Sequence, residues 1–372
     1  MRQLLLKPAL HLFADCKTFV EEFQIGAGDM ILTNKFIYEP HFGSLSLGAD
    51  VIHQELYGEG EPSDEMAEAI CADVKKRGEA KRIVAIGGGT VIDLAKLCAL
   101  KHVFPVCDLF DRKLPIAKDK GLVLIPTTCG TGSEATNISI LELKARRAKF
   151  GLVADELYAD HAILMPKLLE GLPYKVFAAS SIDALIHAME SSVSPRATPY
   201  TKLFGHEAIR LILKGYLDIA RNGESARTPH LGDFLLASDY AGIAFGNAGT
   251  GAVHAMSYPL GGQYHVPHGD ANYAMFIKVF ERYSAKGPNA VLAETLAVVA
   301  RCLECGEGKA LSALASLLER ILPFKPLREY GVADSDLSGF TENVMTKQGR
   351  LMANNCVPLD ADDVLSIYRK VF

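Results

Sequence analysis

Four side chains between positions 183 and 268 have the chemistry of metal ligands. Asp183 and His187 stand four apart in IDALIHAME, and His254 and His268 fourteen apart in VHAMSYPLGGQYHVPHGDAN. One carboxylate and three imidazoles suit a divalent ion such as Fe²⁺, Zn²⁺ or Mn²⁺. On a helix, Asp183 and His187 project from one face. Their neighbours Ile182, Leu185, Ile186 and Met189 are apolar, so that face is expected to be buried. A buried acid and imidazole without partners are costly, so they must pair with each other or share a cation. Leu260-Gly261-Gly262, between the two later histidines, is read as the turn that returns the chain from His268 toward His254.

About a hundred residues upstream, KRIVAI runs into Gly87-Gly88-Gly89, and Thr90 opens a helix. Glycines let backbone N–H groups approach a phosphate, and the helix N-terminus adds the positive end of its dipole. The pattern is neither GxGxxG nor a Walker loop. Taken alone, it is equally a tight strand-to-helix turn. A second small-residue loop, IPTTCGTGSE, follows another apolar run and offers Thr127, Thr128 and Thr131 with Gly130 and Gly132. In a parallel sheet the carboxyl ends of the strands share one ligand-binding edge, so two such loops suit a dinucleotide. A nucleotide cradle with a mononuclear metal site implies a metal-dependent dehydrogenase.

Apolar runs at 30–33, 50–53, 81–86, 122–126, 150–153 and 162–165 read as strands. They alternate with helical patterns at 63–78 and 90–100, as in a covered parallel sheet. Beyond Pro173 the strand signals fade. Periodic apolar segments at 176–191, 203–221, 228–246, 270–285, 289–303, 309–322 and 361–371 dominate instead. The expected organisation is an α/β nucleotide-binding domain over 1–172 and an all-α metal-binding domain over 173–372.

The chain has 372 residues, 49% hydrophobic and 22% charged, with a net charge of −5. That balance argues against binding nucleic acid or an anionic membrane surface. No apolar run reaches the roughly 18 residues of a membrane span. The first residues acquire charge too early for a secretory signal, so the cytoplasm is expected. Eight scattered cysteines suggest no disulfide framework, and the Cys302/Cys305 pair alone cannot complete a zinc site. The expected partners are a small-molecule substrate and further copies of the chain, as a homodimer or larger homo-oligomer.

GGGTVIDLAK, PTTCGTGSE, IDALIHAME and VHAMSYPLGGQYHVPHGDAN together resemble the iron-containing (group III) alcohol dehydrogenase family, in order and spacing, from about Met30 to the C-terminus. The resemblance implies a Rossmann-like parallel-sheet domain followed by a helical one, the dehydroquinate synthase-like plan. It implies Asp183, His187, His254 and His268 as ligands of Fe²⁺ or, alternatively, Zn²⁺. It implies NAD at Gly87, Gly88, Gly89, Thr90, Thr127, Thr128 and Thr131. Lys149 matches a cofactor-contacting lysine of the family, and Asn34 falls where many members carry an aspartate against the adenosine ribose. ILTN, YGEGEPSDEM, SDYAGIAFGNAG and KPLREYG resemble the branch that interconverts 4-hydroxybutyrate and succinate semialdehyde. Asn354-Asn355-Cys356 departs from the family's Asn-Pro-Arg, and Tyr258 replaces a frequent histidine. His265 and Tyr258 are the candidates to relay the proton. Arg196, Lys278, Asn247 and Tyr264 are candidates to meet a substrate carboxylate. Alternative readings are a dehydrogenase of a short diol or simple primary alcohol, a dehydroquinate synthase-type lyase, and a non-catalytic metal or nucleotide sensor. The lyase is disfavoured because its metal set uses Glu with two His.

Overall fold

Short β-branched runs bounded by glycine, proline and polar residues pair side by side, and longer periodic runs coil. The computed structural model describes residues 2–78, 80–146 and 148–372. The chain divides into two compact units, Leu6–Leu172 and Met1–Leu5 with Pro173–Phe372.

In the first unit the strands are β1 (Ala9–Leu12), β2 (Asp29–Thr33), β3 (Asp50–His53), β4 (Arg82–Gly87), β5 (Gly121–Pro126), β6 (Ile138–Leu143), β7 (Ala148–Val153) and β8 (His161–Leu164). Six of them form one sheet in the order β1-β8-β5-β4-β2-β3, and every pairing in it is parallel. The interior strands β2, β4 and β5 are buried along almost their whole length, which is why they read as continuous apolar runs. The run at 150–153 does not join this sheet. It lies in β7, which pairs antiparallel with β6 as a separate two-stranded ribbon. Two strands escape the sequence reading. β1 is a four-residue edge strand with Leu12 turned to solvent, and β6 alternates without a continuous apolar run. The Gly89–Cys98 helix is buried from Val91 to Cys98 because it packs on β4, on β5 and on β6.

The second unit is built from α-helices, with 3₁₀ turns between some of them. Its central helix, Tyr174–Val193, is buried on nearly every face from Phe177 onward and packs on Pro199–Asn222, Leu231–Ala248 and His268–Ala285. Thr198 and Thr201 form a capping box with Pro199 at the first helical position, which sets where the second of these helices begins. The Leu260-Gly261-Gly262 turn is not observed. A helix runs through those residues from Ala252 to Tyr264, and the reversal falls at His265–Pro267, where His265 adopts φ 53°. Glycine weakens a helix by only about 1 kcal/mol, and the buried packing of this one outweighs that.

Candidate functional site

The Tyr174–Val193 helix presents Asp183 and His187 one turn apart. His254 enters from the Ala252–Tyr264 helix, and His268 is the first residue of His268–Ala285. The reversal at His265–Pro267 brings these last two together. One ligand atom from each of the four residues lies within 4.8 Å of the others. His254 Nε2 is 2.9 Å from His187 Nε2, and both His254 Nε2 and His268 Nε2 lie just under 4 Å from Asp183 Oδ1, at 3.9 and 3.8 Å. Asp183, His187 and His254 are buried, and His268 is partly exposed. Burial alone would raise the Asp183 carboxyl. His187, His268 and His254, with a hydrogen bond from Asn272, outweigh it and hold the group below its usual value.

Two further residues shape this cluster. Glu190 Oε2 accepts from His254 Nδ1 at 2.6 Å, and its other oxygen accepts the Val253 N–H at 2.7 Å. That fixes the His254 tautomer and leaves the Nε2 lone pair facing the cluster. Phe245 stacks on His187 at 4.3 Å. The Asn272 amide donates to Asp183 Oδ1 at 2.7 Å and lies 3.1 Å from both His254 Nε2 and His268 Nε2, while its own buried Oδ1 has no partner among the described residues. Two amide hydrogens cannot serve three acceptors. A carboxylate and imidazole nitrogens converging in a buried space fit a divalent cation. Glu190 and Asn272 went unread in the sequence. Glu190 continues the Asp183/His187 face at i, i+4, i+7, and Asn272 is one turn after His268, so helical spacing carries the signal for both.

In the α/β unit, β4 and β5 pair Gly87 with Pro126, and the Thr127 N–H donates to the Gly87 carbonyl at 3.1 Å. This sets the two loops beside each other at the carboxyl edge. The approach is close: a Cβ on Gly89 would lie 2.9 Å from Thr131 Cγ2, and one on Gly88 3.4 Å from Thr128 Cγ2. Gly87 to Thr90, Thr127, Thr128 and Thr131 are thus gathered at one place, with the N-terminus of the Gly89–Cys98 helix in the first loop. Thr90 donates to the Gly60 carbonyl, and Lys149 is ion-paired with Glu61. Asn34 directly follows β2 on the same edge, at the N-cap of the Lys35–Phe42 helix.

Beneath the loops lies a polar network the sequence did not announce. The buried Lys96 ammonium donates to Ser133 Oγ at 2.6 Å, Thr136 Oγ1 at 3.1 Å and the Ile138 carbonyl at 2.6 Å. Ser133 in turn donates to Asp93 at 2.6 Å. Burial, only partly offset by Asp93 and Glu134, brings Lys96 down to about 8. Among the described residues neither buried carboxylate oxygen of Glu134 has a side-chain or backbone partner from elsewhere in the chain, and burial pushes that group up to about 7.

The two relay candidates part company. Tyr258 is one turn beyond His254 on the same helix, whereas His265 is exposed and lines a separate pocket of about 460 Å³ with Lys175, Asp270, Tyr273 and Tyr330. Of the carboxylate candidates, Asn247 is spent on the Leu5 backbone, Lys278 on Glu281 and Tyr264 on Asp336, while Arg196 donates to the Asn247 carbonyl. No helix among the described residues is long and apolar enough to cross a membrane.

Comparison with known proteins matches residues 14–166 to the family described as iron-containing alcohol dehydrogenase, and residues 177–372 to the C-terminal part of the Fe-containing alcohol dehydrogenase family. Over 372 residues the chain is 47% identical to the 4-hydroxybutyrate dehydrogenase of Clostridium kluyveri, covering all of both chains. It is 35% identical to long-chain-alcohol dehydrogenase 1 of Geobacillus thermodenitrificans over 329 residues, 84% of this chain and 80% of that one. The crystal structure of sulfoacetaldehyde reductase from Bifidobacterium kashiwanohense in complex with NAD⁺ superposes with a TM-score of 0.85 at 20% identity, covering all of this chain and 98% of that one. At that identity the likeness speaks for the fold.

Proposed function

Since the chain belongs to the iron-containing alcohol dehydrogenase family, we propose that it transfers a hydride between NAD(H) and a short ω-hydroxy acid or its aldehyde, 4-hydroxybutyrate and succinate semialdehyde. The observation that carries this reading is the convergence of Asp183, His187, His254 and His268 within 4.8 Å. Full-length identity of 47% to a 4-hydroxybutyrate dehydrogenase supports the substrate.

Asp183, His187, His254 and His268 would hold Fe²⁺ or Zn²⁺. When bound, the ion supplies Lewis acidity to the substrate oxygen, and the nicotinamide gives or takes the hydride. The chain's own residues do the rest. Asp183 contributes the one negative charge of the donor set. Glu190 keeps the His254 proton on Nδ1, so the opposite nitrogen is always available as a donor atom. Phe245 holds the His187 ring plane. Gly87 to Thr90 and Thr127 to Thr131 offer N–H groups and hydroxyls to the nucleotide phosphates. Tyr258, one turn from His254, is the group we assign to hold or pass the proton that oxidation of the alcohol releases.

The test is steady-state kinetics of the protein reconstituted with Fe²⁺ or Zn²⁺, comparing succinate semialdehyde with butyraldehyde and NADH with NADPH. The reading expects kcat/KM for succinate semialdehyde to exceed that for butyraldehyde by at least about tenfold, because a recognised carboxylate contributes on the order of 1.5–3 kcal/mol. Equal values for the two aldehydes would point to a simple alcohol as the substrate. No NADH oxidation with any aldehyde would remove the dehydrogenase reading.

A further inference from the structure

In a doubly wound parallel sheet the pyrophosphate of a dinucleotide sits at the helix that follows the glycine-bearing strand, and its adenosine ribose lies at the carboxyl end of the next strand. Here the glycines follow β4, and the next strands outward are β2 and then β3. Their register pairs Thr33 with Ile86 on one side and with His53 on the other, so the three strands end in line. The position at the ribose end of β2 is Asn34. Both of its amide hydrogens are already taken. Nδ2 donates to Gln54 Oε1 at 3.1 Å and to Glu55 Oε2 at 3.0 Å.

Glu55 comes from the 3₁₀ turn Gln54–Tyr57 that follows β3, and its carboxylate lies across the end of β2. Besides Asn34, it accepts the Lys35 backbone N–H on Oε1 at 2.7 Å. Those bonds, with one from its own backbone N–H, take three of the carboxylate's four acceptor positions and leave one. Partial burial would raise this carboxyl, but the backbone N–H groups of Glu55 and Lys35, the Asn34 amide and His53 together hold it below its usual range. The cation next to it, Lys35, directs its ammonium along its own helix to Glu39 at 3.5 Å. A fixed carboxylate with spare acceptor capacity therefore stands where a ribose 2′-hydroxyl would donate and a 2′-phosphate would meet like charge.

We propose that Glu55, rather than Asn34, selects NAD(H) against NADP(H) in this chain. Its carboxylate accepts from the ribose 2′-hydroxyl and repels a 2′-phosphate, and the Lys35 backbone N–H holds it in place whatever side chain stands at position 34. The assignment rests on the reading that the Gly87–Thr90 and Thr127–Thr131 loops bind a dinucleotide.

The full-length, metal-reconstituted protein is titrated with NADH and with NADPH by nucleotide fluorescence, and kcat/KM is measured for both with succinate semialdehyde. The wild type is expected to prefer NADH. Glu55→Gln is expected to tighten NADPH by about tenfold or more while NADH changes by less than about threefold, since removing a charge relieves repulsion and leaves an acceptor. If Glu55 only caps the Lys35–Phe42 helix, Glu55→Gln lowers the melting temperature and leaves the NADH/NADPH ratio unchanged, which overturns the proposal. Asn34→Ala keeps the carboxylate and is expected to keep the preference. A ratio that collapses in Asn34→Ala overturns the proposal even should Glu55→Gln fail to fold. Failure of the folded wild type to bind either nucleotide overturns the dinucleotide reading and the assignment with it. Discrimination in the wild type that survives Glu55→Gln overturns the assignment alone.

Discussion

His268 stands at the start of its helix with its ring among the donors of Asp183 and His254. Replacing it with alanine removes one of four proposed ligands. His268→Ala is expected to lower bound metal well below stoichiometric and to abolish turnover. NADH binding should still saturate, because the glycine and threonine loops belong to the other unit. Elemental analysis and NADH fluorescence, unobstructed in a chain without tryptophan, check both halves. Full metal occupancy in the variant would remove His268 from the ligand set. Glu134 makes a prediction of a different kind. Burial pushes its carboxyl up to about 7 in the folded protein, against an ordinary value of 4.5. Between those values the folded state holds more protons than the unfolded one, so stability falls as pH rises. Glu134→Gln abolishes that slope. The variant is expected to be more stable than wild type at pH 8, by on the order of 3 kcal/mol, and nearly equal to it near pH 4.5. Thermal unfolding across that range reads the difference, and parallel curves would show that Glu134 is not protonated on folding.

At the scale of elements, the nucleotide edge depends on how closely two loops approach. β4 and β5 deliver them in register, and the Lys96–Ser133–Asp93 network ties the second loop to the helix that follows the first. Gly89 meets Thr131 with no room for a Cβ. Gly89→Val is therefore expected to push the loops apart and raise KM for the nucleotide by about tenfold or more, with metal content unchanged. Measured KM and metal content decide it. An unaltered KM would mean that the loop contact does not shape the nucleotide site. In the helical unit the corresponding device is the reversal at His265–Pro267. It turns the chain between the helices that carry His254 and His268, and it leaves His265 facing Asp270 and the tyrosines of a neighbouring pocket.

At the scale of the whole molecule, each unit has its own source of stability. The α/β unit buries an apolar core around β4, β5 and the Gly89–Cys98 helix. The helical unit also buries Asp183, His187, His254, Glu190 and Asn272, polar groups whose desolvation is offset only when all of them are satisfied. A ligand that binds only the folded state stabilises it by mass action, about 2.7 kcal/mol at a hundredfold excess over Kd. Removing metal with a chelator is thus expected to lower the melting temperature by about 5–10 °C, and readdition of Zn²⁺ or Fe²⁺ to restore it. Asp183→Asn should blunt the response. Identical melting with and without metal would argue that the cluster is stabilised by hydrogen bonds alone.

Periodicity and residue type, which are local, suffice for much of this protein. The apolar runs at 81–86 and 122–126 lie in β4 and β5, and the glycines and threonines after them stand at one sheet edge because parallel pairing leaves no other place for them. Asp183 and His187 share a helix face by the 3.6-residue repeat alone. What the sequence could not specify depends on partners remote in the chain. The 150–153 run looked like a member of the main sheet and became half of a separate ribbon, because strand pairing is a choice among neighbours. Leu260-Gly261-Gly262 had the composition of a turn and is helix, because burial outweighs a small intrinsic preference. Glu55 bears no motif. It lies against Asn34 only because β3 is paired to β2, and the charge at that edge is a property of the sheet order rather than of any stretch of sequence.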